Sequence, residues 1–570
     1  MDRRRRKTLP VVKTDHDIEH PEDELYTMTE EPEEEYQQQQ PLPPPPPAAT
    51  TTPQGHWVKL AEDDNTSYLF RHSIGLEEIP GVVQTLKPPK NAKERPLDSK
   101  LAIIMVGLPA RGKSYIVKKL RRYLNWLQYE TRVFNVGNTR RDQRTADMDQ
   151  SASFFDPDNK DMKRMRDELA MNVLEQLIDW LKSGHRSSVA IHDATNSTID
   201  RRKLLIDRLR KEPSIKILLM ESVCTDQKVL ERNFRLKLLG PDYKDKDPCK
   251  ALADFRSRVA NYERAYEPLG DWEEERDLQY CKMINVGKKV VAYNISGYLA
   301  GQCIFYLMNF NLSERQIFVT RHGQSTDNLE DRIGGDASLT PLGRKFGKAL
   351  EKFIGEQRKS FAIDLAKSKY EQEQKWESYG LDSLDLTDGS KDKDKETTHD
   401  IINSQAEAIS SSQFTIWTSM LKRSTETAET FNVEDYDIKH IRFLNEINSG
   451  DRERMTYEEI KQQYPDEFKA RQENKLYYRY PGMGGESYID VIHRLQPLII
   501  ELERMTQSCL IITHRVVLRI ILGYLLDWSR EEMPHMLVPL HTVYELRPKP
   551  YGSQLKKWKY VEEKDTFEEF

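Results

Sequence analysis

The sequence has few cysteines, no long apolar run and no marked excess of charge. Its five cysteines are scattered without a Cys-x-x-Cys pair, which argues against a disulfide scaffold or a zinc site and favours reduced thiols in the cytoplasm. No segment approaches the ~18 uninterrupted apolar residues of a membrane helix, so we expect no membrane span. A net charge of −6 gives no reason to expect nucleic acid as a partner.

Apolar residues are also scarce, at 37% of the 570 positions, which predicts that part of the chain is unpacked. Residues 1–95 fit this description, because their acidic, glutamine-rich and proline-rich runs offer little apolar surface to offset the entropy of ordering. We therefore expect a disordered tail, and its basic start lacks the apolar core of a secretory signal. The basic run at 3–7 before Thr8 fits a protein-kinase site, a nuclear-import patch or simply a solvated tip.

From about residue 100, buried β runs alternate with amphipathic helices. One series of predicted strands lies at 101–106, 188–192, 215–220 and 290–295, and a second lies at 316–320, 414–418 and 509–513. This alternation predicts two tandem three-layer α/β domains with parallel sheets covered on both faces. Residues 358–412 carry charge without a sustained apolar period, so we expect a flexible surface insertion there.

The first series contains a phosphate-binding motif. Residues 107–114, from Gly107 through Gly112, Lys113 and Ser114, fit G-x-x-x-x-G-K-[ST] between a buried strand and an amphipathic helix. Such a loop wraps its amides around phosphate, with Lys113 reaching the β/γ oxygens and Ser114 ligating Mg²⁺. Asp193, at the end of the next strand, is either a Mg²⁺-orienting or base residue or a helix N-cap. Together they predict a P-loop kinase that uses ATP with Mg²⁺.

The second series contains two histidines at strand ends. His322, in Arg-His-Gly, follows the strand at 316–320, and His514 follows the strand at 509–513. The carboxyl ends of parallel strands meet at one sheet edge, where Arg321 and Arg423 would also lie. Arginines match phosphate oxygens, and a neutral imidazole can attack phosphorus. The pattern predicts a phosphatase with a phosphohistidine intermediate.

This order of motifs resembles the bifunctional 6-phosphofructo-2-kinase/fructose-2,6-bisphosphatase family from about residue 100 to 552. The resemblance rests on residues 107–114, 122–126, 193–196 and 306–309 in the first half, and on 321–323, 332–336, 455–460 and 539–543 in the second. It implies a P-loop NTPase-type kinase domain at 96–312 and a phosphoglycerate-mutase-like histidine phosphatase domain at 313–552, with a tail at 553–570. It also implies that the enzyme makes and hydrolyses fructose 2,6-bisphosphate, and thereby regulates glycolysis.

The resemblance assigns roles to individual residues. Lys113, Ser114 and Asp193 would carry the nucleotide and metal, and His322 would be the nucleophile, Glu446 the proton donor, and Arg321, Arg423 and His514 the phosphoryl clamp. Residues that would hold fructose 6-phosphate are Arg140 or its neighbour Arg141, Arg166, Thr195, Arg201, Arg258 and Tyr262. Residues that would hold fructose 2,6-bisphosphate are Asn328, Gly334, Tyr457, Arg471, Lys475, Tyr488 and Arg519. The phosphatase half would need no cofactor.

Several positions depart from the family pattern. One residue is missing near 240, so the family's lysine falls on Leu238 counted from Asn233 and on Lys237 counted back from Pro241. Residues 448–452 differ after Glu446, Arg515 replaces a glutamine, and 480–486 has two extra residues. These changes predict altered substrate or weakened turnover, with the kinase the weaker half. The alternatives are a catalytically weak regulatory or scaffold homologue and a phosphatase acting alone; a homodimer and a protein kinase acting on the tail stay open as partners.

Overall fold

The chain forms two β-sheets in succession, and helices cover both faces of each. This computed structural model describes residues 100–142, 152–184, 187–238, 242–243, 247–377, 398–549 and 552–570. The predicted tail at 1–95 and the centre of the predicted insertion, 378–397, lie outside these ranges, so both stay predictions. None of the helices in the described ranges is both long enough and apolar enough to cross a membrane.

The first domain contains six strands in the order β2-β3-β1-β4-β5-β6. They are β1 (Lys100–Val106), β2 (Glu130–Asn135), β3 (Ser188–Asp193), β4 (Ile215–Val223), β5 (Tyr280–Ile284) and β6 (Lys289–Tyr293). The helices are α1 (Lys113–Trp126), α2 (Val136–Asp142), α3 (Lys160–Ser183), α4 (Ile199–Leu209), α5 (Gln227–Leu238), α6 (Pro248–Arg264), α7 (Asp271–Glu274) and α8 (Tyr298–Asn309). All strands are parallel except β6, which runs antiparallel to β5.

Strand β1 shows why this sheet is covered on both faces. Its alternate side chains Leu101, Ile103 and Met105 pack with α1 and α8 in one apolar core, and the intervening ones pack with α3 and α4 in another. Because successive side chains of a strand point to opposite faces, a continuous apolar run requires both cores. The four strands predicted for this domain are confirmed, whereas β5 and β2, the latter with its exposed Glu130 and Arg132, were not predicted.

The second domain contains seven strands in the order β13-β12-β11-β7-β10-β8-β9. They are β7 (Ile317–Arg321), β8 (Thr415–Thr418), β9 (Asp437–His440), β10 (Cys509–Thr513), β11 (Thr542–Lys549), β12 (Gly552–Val561) and β13 (Thr566–Glu569). The helices are α9 (Thr326–Leu329), α10 (Pro341–Glu377), α11 (Thr398–Ser410), α12 (Lys422–Ala428), α13 (Tyr457–Gln463), α14 (Pro465–Glu473), α15 (Tyr488–Arg504) and α16 (Arg515–Leu526). Strands β7 to β10 are parallel, which confirms the three predicted here, and β11 to β13 are antiparallel.

Two expectations for this domain are wrong. Residues 553–570 are not a tail, because β12 pairs with β11 and β13 pairs with β12. Their alternating polar and apolar residues suit an edge that buries one face. The expected insertion at 358–412 begins and ends in helix rather than loop, since α10 runs on to Glu377 and α11 packs against it through Ala362, Ala366 and Ala406.

Candidate active sites

The first candidate site is the glycine loop between β1 and α1. Gly107 and Gly112 have φ angles of 131° and 88°, and a Cβ on Gly107 would lie 2.6 Å from the backbone oxygen of Ser222. Only glycine therefore lets the loop close against β4. The Lys113 ammonium donates to the carbonyl oxygens of Gly107 and Leu108, at 2.6 and 2.7 Å. Burial lowers the pKa of Lys113 to about 7, and a phosphate at the start of α1 would favour its charged form.

A carboxylate faces this loop from the end of β3. Asp193 Oδ2 accepts from Asn135 Nδ2 at 2.6 Å and lies 3.5 Å from Ser114 Oγ. Burial raises the pKa of Asp193, and Lys113 opposes that shift. A hydroxyl and a carboxylate oxygen at this spacing are ligands that Mg²⁺ accepts, with water and phosphate oxygens in its other positions. The donor set therefore fits a magnesium ion shared with nucleotide phosphates.

Three arginines converge on one carboxylate beyond the loop. Arg140, Arg258 and Arg141 reach the Asp242 carboxylate at 3.0, 3.3 and 3.4 Å. The guanidinium carbons of Arg140 and Arg258 lie 5.2 and 3.8 Å from the Phe155 ring centroid. Among the described residues, the Nε of each of these two is buried without a hydrogen-bond partner. Such unused donors fit a phosphate group. The contact of Asp242 with these arginines was not predicted from the sequence.

One cavity of about 1580 Å³ connects the glycine loop with these arginines. Most residues predicted for this half line it, namely Gly112, Lys113, Ser114, Arg140, Arg166, Asp193, Thr195, Arg201, Arg258 and Tyr262. Two of the arginines are also tied to the cavity wall, since Arg166 donates to the Phe154 carbonyl and Arg201 pairs with Asp167. The cavity therefore places a nucleotide-type loop and a strongly cationic pocket in one space.

The loop shortened near 240 leaves a lysine in this cavity. Lys237 lines the cavity, and its charge acts on both Lys113 and Asp193. Burial lowers the pKa of Lys237, and Asp193 opposes that shift. Leu238 instead packs in an apolar cluster with Ala110 and Phe255. Of the two positions left open by the sequence, Lys237 is therefore the one that lies in the cavity.

The second candidate site joins the carboxyl ends of β7 and β10, which are adjacent parallel strands. The ring centroids of His322 and His514 lie 5.0 Å apart. His322 Nδ1 must carry the proton, because it lies 2.7 Å from the Gly323 carbonyl oxygen, which can only accept. Its Nε2 therefore offers a lone pair, which accepts from Arg423 Nε at 3.1 Å. The arrangement presents a neutral imidazole nitrogen to a guanidinium.

Burial and two arginines keep both imidazoles neutral. Burial lowers the pKa of His322 well below 6.5, and Arg423 and Arg321 lower it further. Burial and Arg423 have the same effect on the pKa of His514. Burial also lowers the pKa of Arg321 to about 9, with Arg515 as the next cause. Among the described residues, Arg321 Nε is buried without a hydrogen-bond partner, so the site has a donor that an anion would satisfy.

A carboxylate lies on another side of the histidine pair. Glu446 Oε1 accepts from the Ile447 amide at 2.9 Å, and the Val516 amide at the start of α16 lies 3.3 and 3.4 Å from the two carboxylate oxygens. The charge of Glu446 acts on both Arg321 and Arg423, so its carboxylate lies near the two guanidinium groups in the space beside the histidine pair. This space combines a nucleophile, two anion-binding cations and a carboxyl group that can transfer a proton.

Further cations lie beside this centre. Arg471 Nη2 donates to the Tyr457 hydroxyl at 3.0 Å, and Arg519 Nη1 donates to the Tyr488 hydroxyl at 3.2 Å. Burial lowers the pKa of His535, and Lys475, Arg519 and Arg471 lower it further. The predicted substrate cations Lys475, Arg519 and Arg471 therefore lie near one imidazole, that of His535.

The remaining two predicted contacts have structural partners. Asn328 Oδ1 accepts from the Ser325 amide at 3.0 Å and closes a turn. Gly334 has a φ angle of 71°, and a Cβ there would overlap the Glu453 carboxylate. These contacts account for both residue types without a ligand.

Two family models match the chain, one over each domain. The model for 6-phosphofructo-2-kinase matches residues 90–314, and the model for the histidine phosphatase superfamily (branch 1) matches residues 398–561. The human protein named 6-phosphofructo-2-kinase/fructose-2,6-bisphosphatase 3 is 37% identical over 82% of this chain and 78% of its own length. The chain belongs to the 6-phosphofructo-2-kinase/fructose-2,6-bisphosphatase family. Membership with a kinase domain implies the use of ATP.

Two fungal family members are more similar in sequence and carry the kinase name alone. A Schizosaccharomyces pombe protein named "Probable 6-phosphofructo-2-kinase" is 50% identical over 82% of this chain and 70% of its own length. The Saccharomyces cerevisiae protein 6-phosphofructo-2-kinase 1 is 48% identical over 86% of this chain and 56% of its own length. The printed names of family members therefore differ in whether they include the phosphatase.

One residue of the histidine site was not predicted. Ser419 Oγ lies 2.7 Å from His514 Nε2 and accepts from the Leu421 amide at 3.2 Å. Ser419 directly follows β8, the strand next to β10. Ser419 therefore follows the same sequence pattern as the two histidines, a polar residue at the carboxyl end of a buried parallel strand.

Proposed function

We propose that this chain makes fructose 2,6-bisphosphate from fructose 6-phosphate and ATP, and hydrolyses it at a separate site. The proposal is carried by the neutral His322, whose free Nε2 faces Arg423, in a chain whose other domain has a complete phosphate loop. The sites would thus perform opposite reactions at the same sugar 2-oxygen, and so regulate glycolysis.

In the kinase half, the loop around Lys113 would bind the ATP phosphates, and Arg140 and Arg258 would bind the sugar 6-phosphate. Ser114 and Asp193 would hold a Mg²⁺ ion, which would neutralise charge on the phosphates. Catalysis would consist mainly of positioning. The sugar 2-hydroxyl oxygen would attack the terminal phosphorus as the bond from that phosphorus to ADP breaks, and the hydroxyl proton would be released to solvent. Lys237 lines the same cavity, which supports turnover in this half.

In the phosphatase half, no cofactor is needed. His322 Nε2 would attack phosphorus, and the N–P bond would form as the bond from phosphorus to the sugar 2-oxygen breaks. Glu446 would give its proton to that oxygen, and fructose 6-phosphate would leave. Water would then attack the phosphohistidine and lose a proton to the Glu446 carboxylate, which releases phosphate and restores His322. Arg321, Arg423 and His514 would stabilise the phosphoryl group in both steps.

The test follows label from the sugar 2-phosphate. Phosphohistidine is stable in alkali and labile in acid. After rapid quench, wild-type protein should therefore carry a protein-bound label that survives alkali and is lost in acid. His322→Ala should remove the label and retain kinase turnover, whereas Lys113→Ala should remove kinase turnover and retain the label. Glu446→Gln should slow formation of the intermediate by roughly 10²–10⁴-fold. Label that persists in His322→Ala would contradict the phosphatase proposal, and absence of fructose 2,6-bisphosphate synthesis in wild type would contradict the kinase proposal.

A second candidate is an enzyme with kinase turnover and weak hydrolysis. The fungal relatives named for the kinase alone favour it, whereas the paired His322 and Glu446 favour hydrolysis. The same experiment distinguishes the alternatives. This second candidate would show kinase turnover with little phosphohistidine, a phosphatase acting alone would show phosphohistidine without kinase turnover, and a scaffold would show neither.

Location, assembly and regulation are further parts of the proposal. We infer a cytoplasmic homodimer, regulated by a protein kinase that acts on the tail before residue 96. We also propose a boundary near residue 312 between the kinase and phosphatase domains. Light scattering of the full chain and phosphate mapping after treatment with a basophilic kinase would test assembly and regulation.

A further inference from the structure

The backbone that carries Glu446 is held by one guanidinium. Arg494, on α15, donates to the carbonyl oxygens of Asn445 and Glu446 at 2.7 and 3.1 Å, and also to that of Phe443. A single side chain therefore satisfies three carbonyl groups in the turn that ends at Glu446. Half-buried carbonyls of an irregular segment need such partners, because no strand or helix supplies them.

A second charged residue orients that guanidinium. Arg494 Nε donates to Glu486 Oε1 at 2.8 Å, and Arg494 Nη2 donates to Glu486 Oε2 at 3.2 Å. Glu486 Oε2 also accepts from the Asn448 amide at 2.9 Å, and the Glu486 amide donates to the Asn448 carbonyl at 3.0 Å. The ion pair is mostly buried, with 18% and 20% of the two side chains exposed. The backbone is therefore held on both sides of Glu446.

The two segments that depart from the family pattern pack against each other here. The Asp451 amide donates to the Pro481 carbonyl at 2.9 Å, and a Cβ on Gly450 would lie 2.0 Å from that same oxygen. The Asp451 carboxylate lies against Gly482. The altered residues 448–452 and the lengthened loop 480–486 are thus one packed unit, and Glu486 joins this unit to Arg494.

We propose that Arg494, oriented by Glu486, is a positioning residue that fixes the Glu446 carboxyl group at the phosphoryl centre. This inference rests on the proposed role of Glu446 as proton donor. The Glu446 carboxylate accepts from the backbone amide of Ile447, so its position depends on the backbone at 445–447. A displacement of about 1 Å in a catalytic group can cost about 100-fold in rate. Among the described residues, Arg494 hydrogen-bonds neither the nucleophile nor the predicted substrate cations, and its charge is only the last of several causes that lower the pKa of His514. We therefore expect its loss to lower the rate of chemistry more than the affinity.

The test measures the rate of phosphohistidine formation and the Kd for fructose 2,6-bisphosphate in the full chain. Arg494→Gln should lower the rate about 10- to 100-fold while the Kd changes less than about threefold. Arg504→Gln is the matched control, because Arg504 lies on the same helix, is exposed and pairs only locally with Glu501. Glu486→Gln keeps one acceptor oxygen but loses the charge and the second acceptor, and should lose about three- to tenfold in rate. If Arg494→Gln fails to fold, the rate and Kd of the Glu486→Gln protein test the inference instead.

Combination with Glu446→Gln distinguishes positioning from a general structural role. In that background the carboxyl donor is already absent, so Arg494→Gln, or Glu486→Gln in its place, should cost less than about threefold more. Losses that multiply in full, or a weakened Kd with an unchanged rate, would overturn the inference. A slow rate in the Glu446→Gln protein together with a normal rate in the Arg494→Gln protein would overturn this inference and leave the proposed function in place. Wild-type protein that forms no phosphohistidine, or a Glu446→Gln protein of normal rate, would instead overturn the proposed function on which it rests.

Discussion

His322 depends on its surroundings for a reactive nitrogen. Burial is the largest cause of its lowered pKa, and Arg423 and Arg321 follow. The Gly323 carbonyl fixes the proton on Nδ1, so the free lone pair stays on Nε2. The same guanidinium that would bind phosphate thus also prevents the histidine from becoming a cation.

The phosphatase should therefore keep its activity in mild acid. Because the pKa of His322 lies well below 6.5, we expect the acid limb of kcat/KM for fructose 2,6-bisphosphate below pH 6.5. Arg423→Gln removes the second cause, so the pKa of His322 should rise and the acid limb should move to higher pH, although burial remains. Rapid-quench rates from pH 5 to 8 measure this. An acid limb at or above pH 7 in wild type would contradict the assignment.

Lys237 and Leu238 have opposite environments although they are neighbours. Lys237→Met should lower kinase kcat/KM for fructose 6-phosphate about 10- to 100-fold, since a charge-assisted contact contributes about 1.5–3 kcal/mol. The thermal stability of the Lys237→Met protein should equal that of wild type. Leu238→Lys should instead destabilise the protein, because it would bury an ammonium group beside Ala110 and Phe255. A gain in kinase turnover in Leu238→Lys would contradict this reading of the site.

At the scale of elements, residues 552–570 add two strands to the second sheet. Strand β12 covers the edge of β11, and β13 covers the edge of β12. Phe567 on β13 packs against Phe353 on α10, with ring centroids 4.5 Å apart. Strands β12 and β13 therefore close a core over the long helix, and the four-residue β13 forms this edge of the described sheet.

Deletion of one ring from this strand should destabilise the second domain. Phe567→Ala should cost about 3 kcal/mol of unfolding free energy, at the low end for buried phenylalanine because the site is near an edge. Phe570→Ala is the matched control, since 64% of Phe570 is exposed, and should change stability by less than about 0.5 kcal/mol. Urea unfolding monitored by hydrogen exchange in residues 552–570 measures both. Equal stability of the two variants would favour a tail that does not pack.

At the scale of the whole molecule, the two domains share a buried charged cluster. Helix α1 extends from the phosphate loop, and its Lys119 and Arg122 bind Glu503 of α15 at 2.8 and 2.6 Å. Tyr524 of α16 also donates to Glu503 at 2.5 Å. Burial alone would raise the pKa of Glu503, but Lys119 and Arg122 outweigh burial and hold it at about 2. Around this cluster, α1, α8, α15 and α16 belong to one continuous apolar core.

Glu503→Gln should weaken the contact between the domains. It leaves two buried cations without their counter-charge, which costs about 3–5 kcal/mol. The folded pKa of Glu503 lies below its ordinary value of 4.5, so its contribution is complete above that pH and is lost as pH falls toward 2. The stability gap between variant and wild type should therefore narrow in acid. Urea midpoints at pH 7 and pH 4 measure it, with the exposed Glu501→Gln as control. A gap that is absent at pH 7 would contradict the role of this cluster.

The sequence by itself determined the phosphate loop, seven strands and the histidines at two strand ends. These features are local: a glycine spacing fixes a turn, and an apolar run bounded by a turn fixes a strand. Strands β12 and β13 escaped prediction because edge strands alternate with polar residues and resemble a solvated tail. The helical ends of the insertion escaped because the buried residues that join α10 to α11 are the small Ala362, Ala366 and Ala406, which produce a weak apolar period.

Only the tertiary structure decided which distant residues meet. Asp242 among the arginines, Ser419 against His514 and Arg494 against the Glu446 backbone are contacts between segments far apart in the chain. The choice of Lys237 over Leu238 depended on which face of α5 lies toward the cavity. Burial likewise sets the pKa of His322 and Lys113, and burial is a property of the packed domain. The sequence supplies chemical groups at strand ends, but their distances and protonation arise from packing.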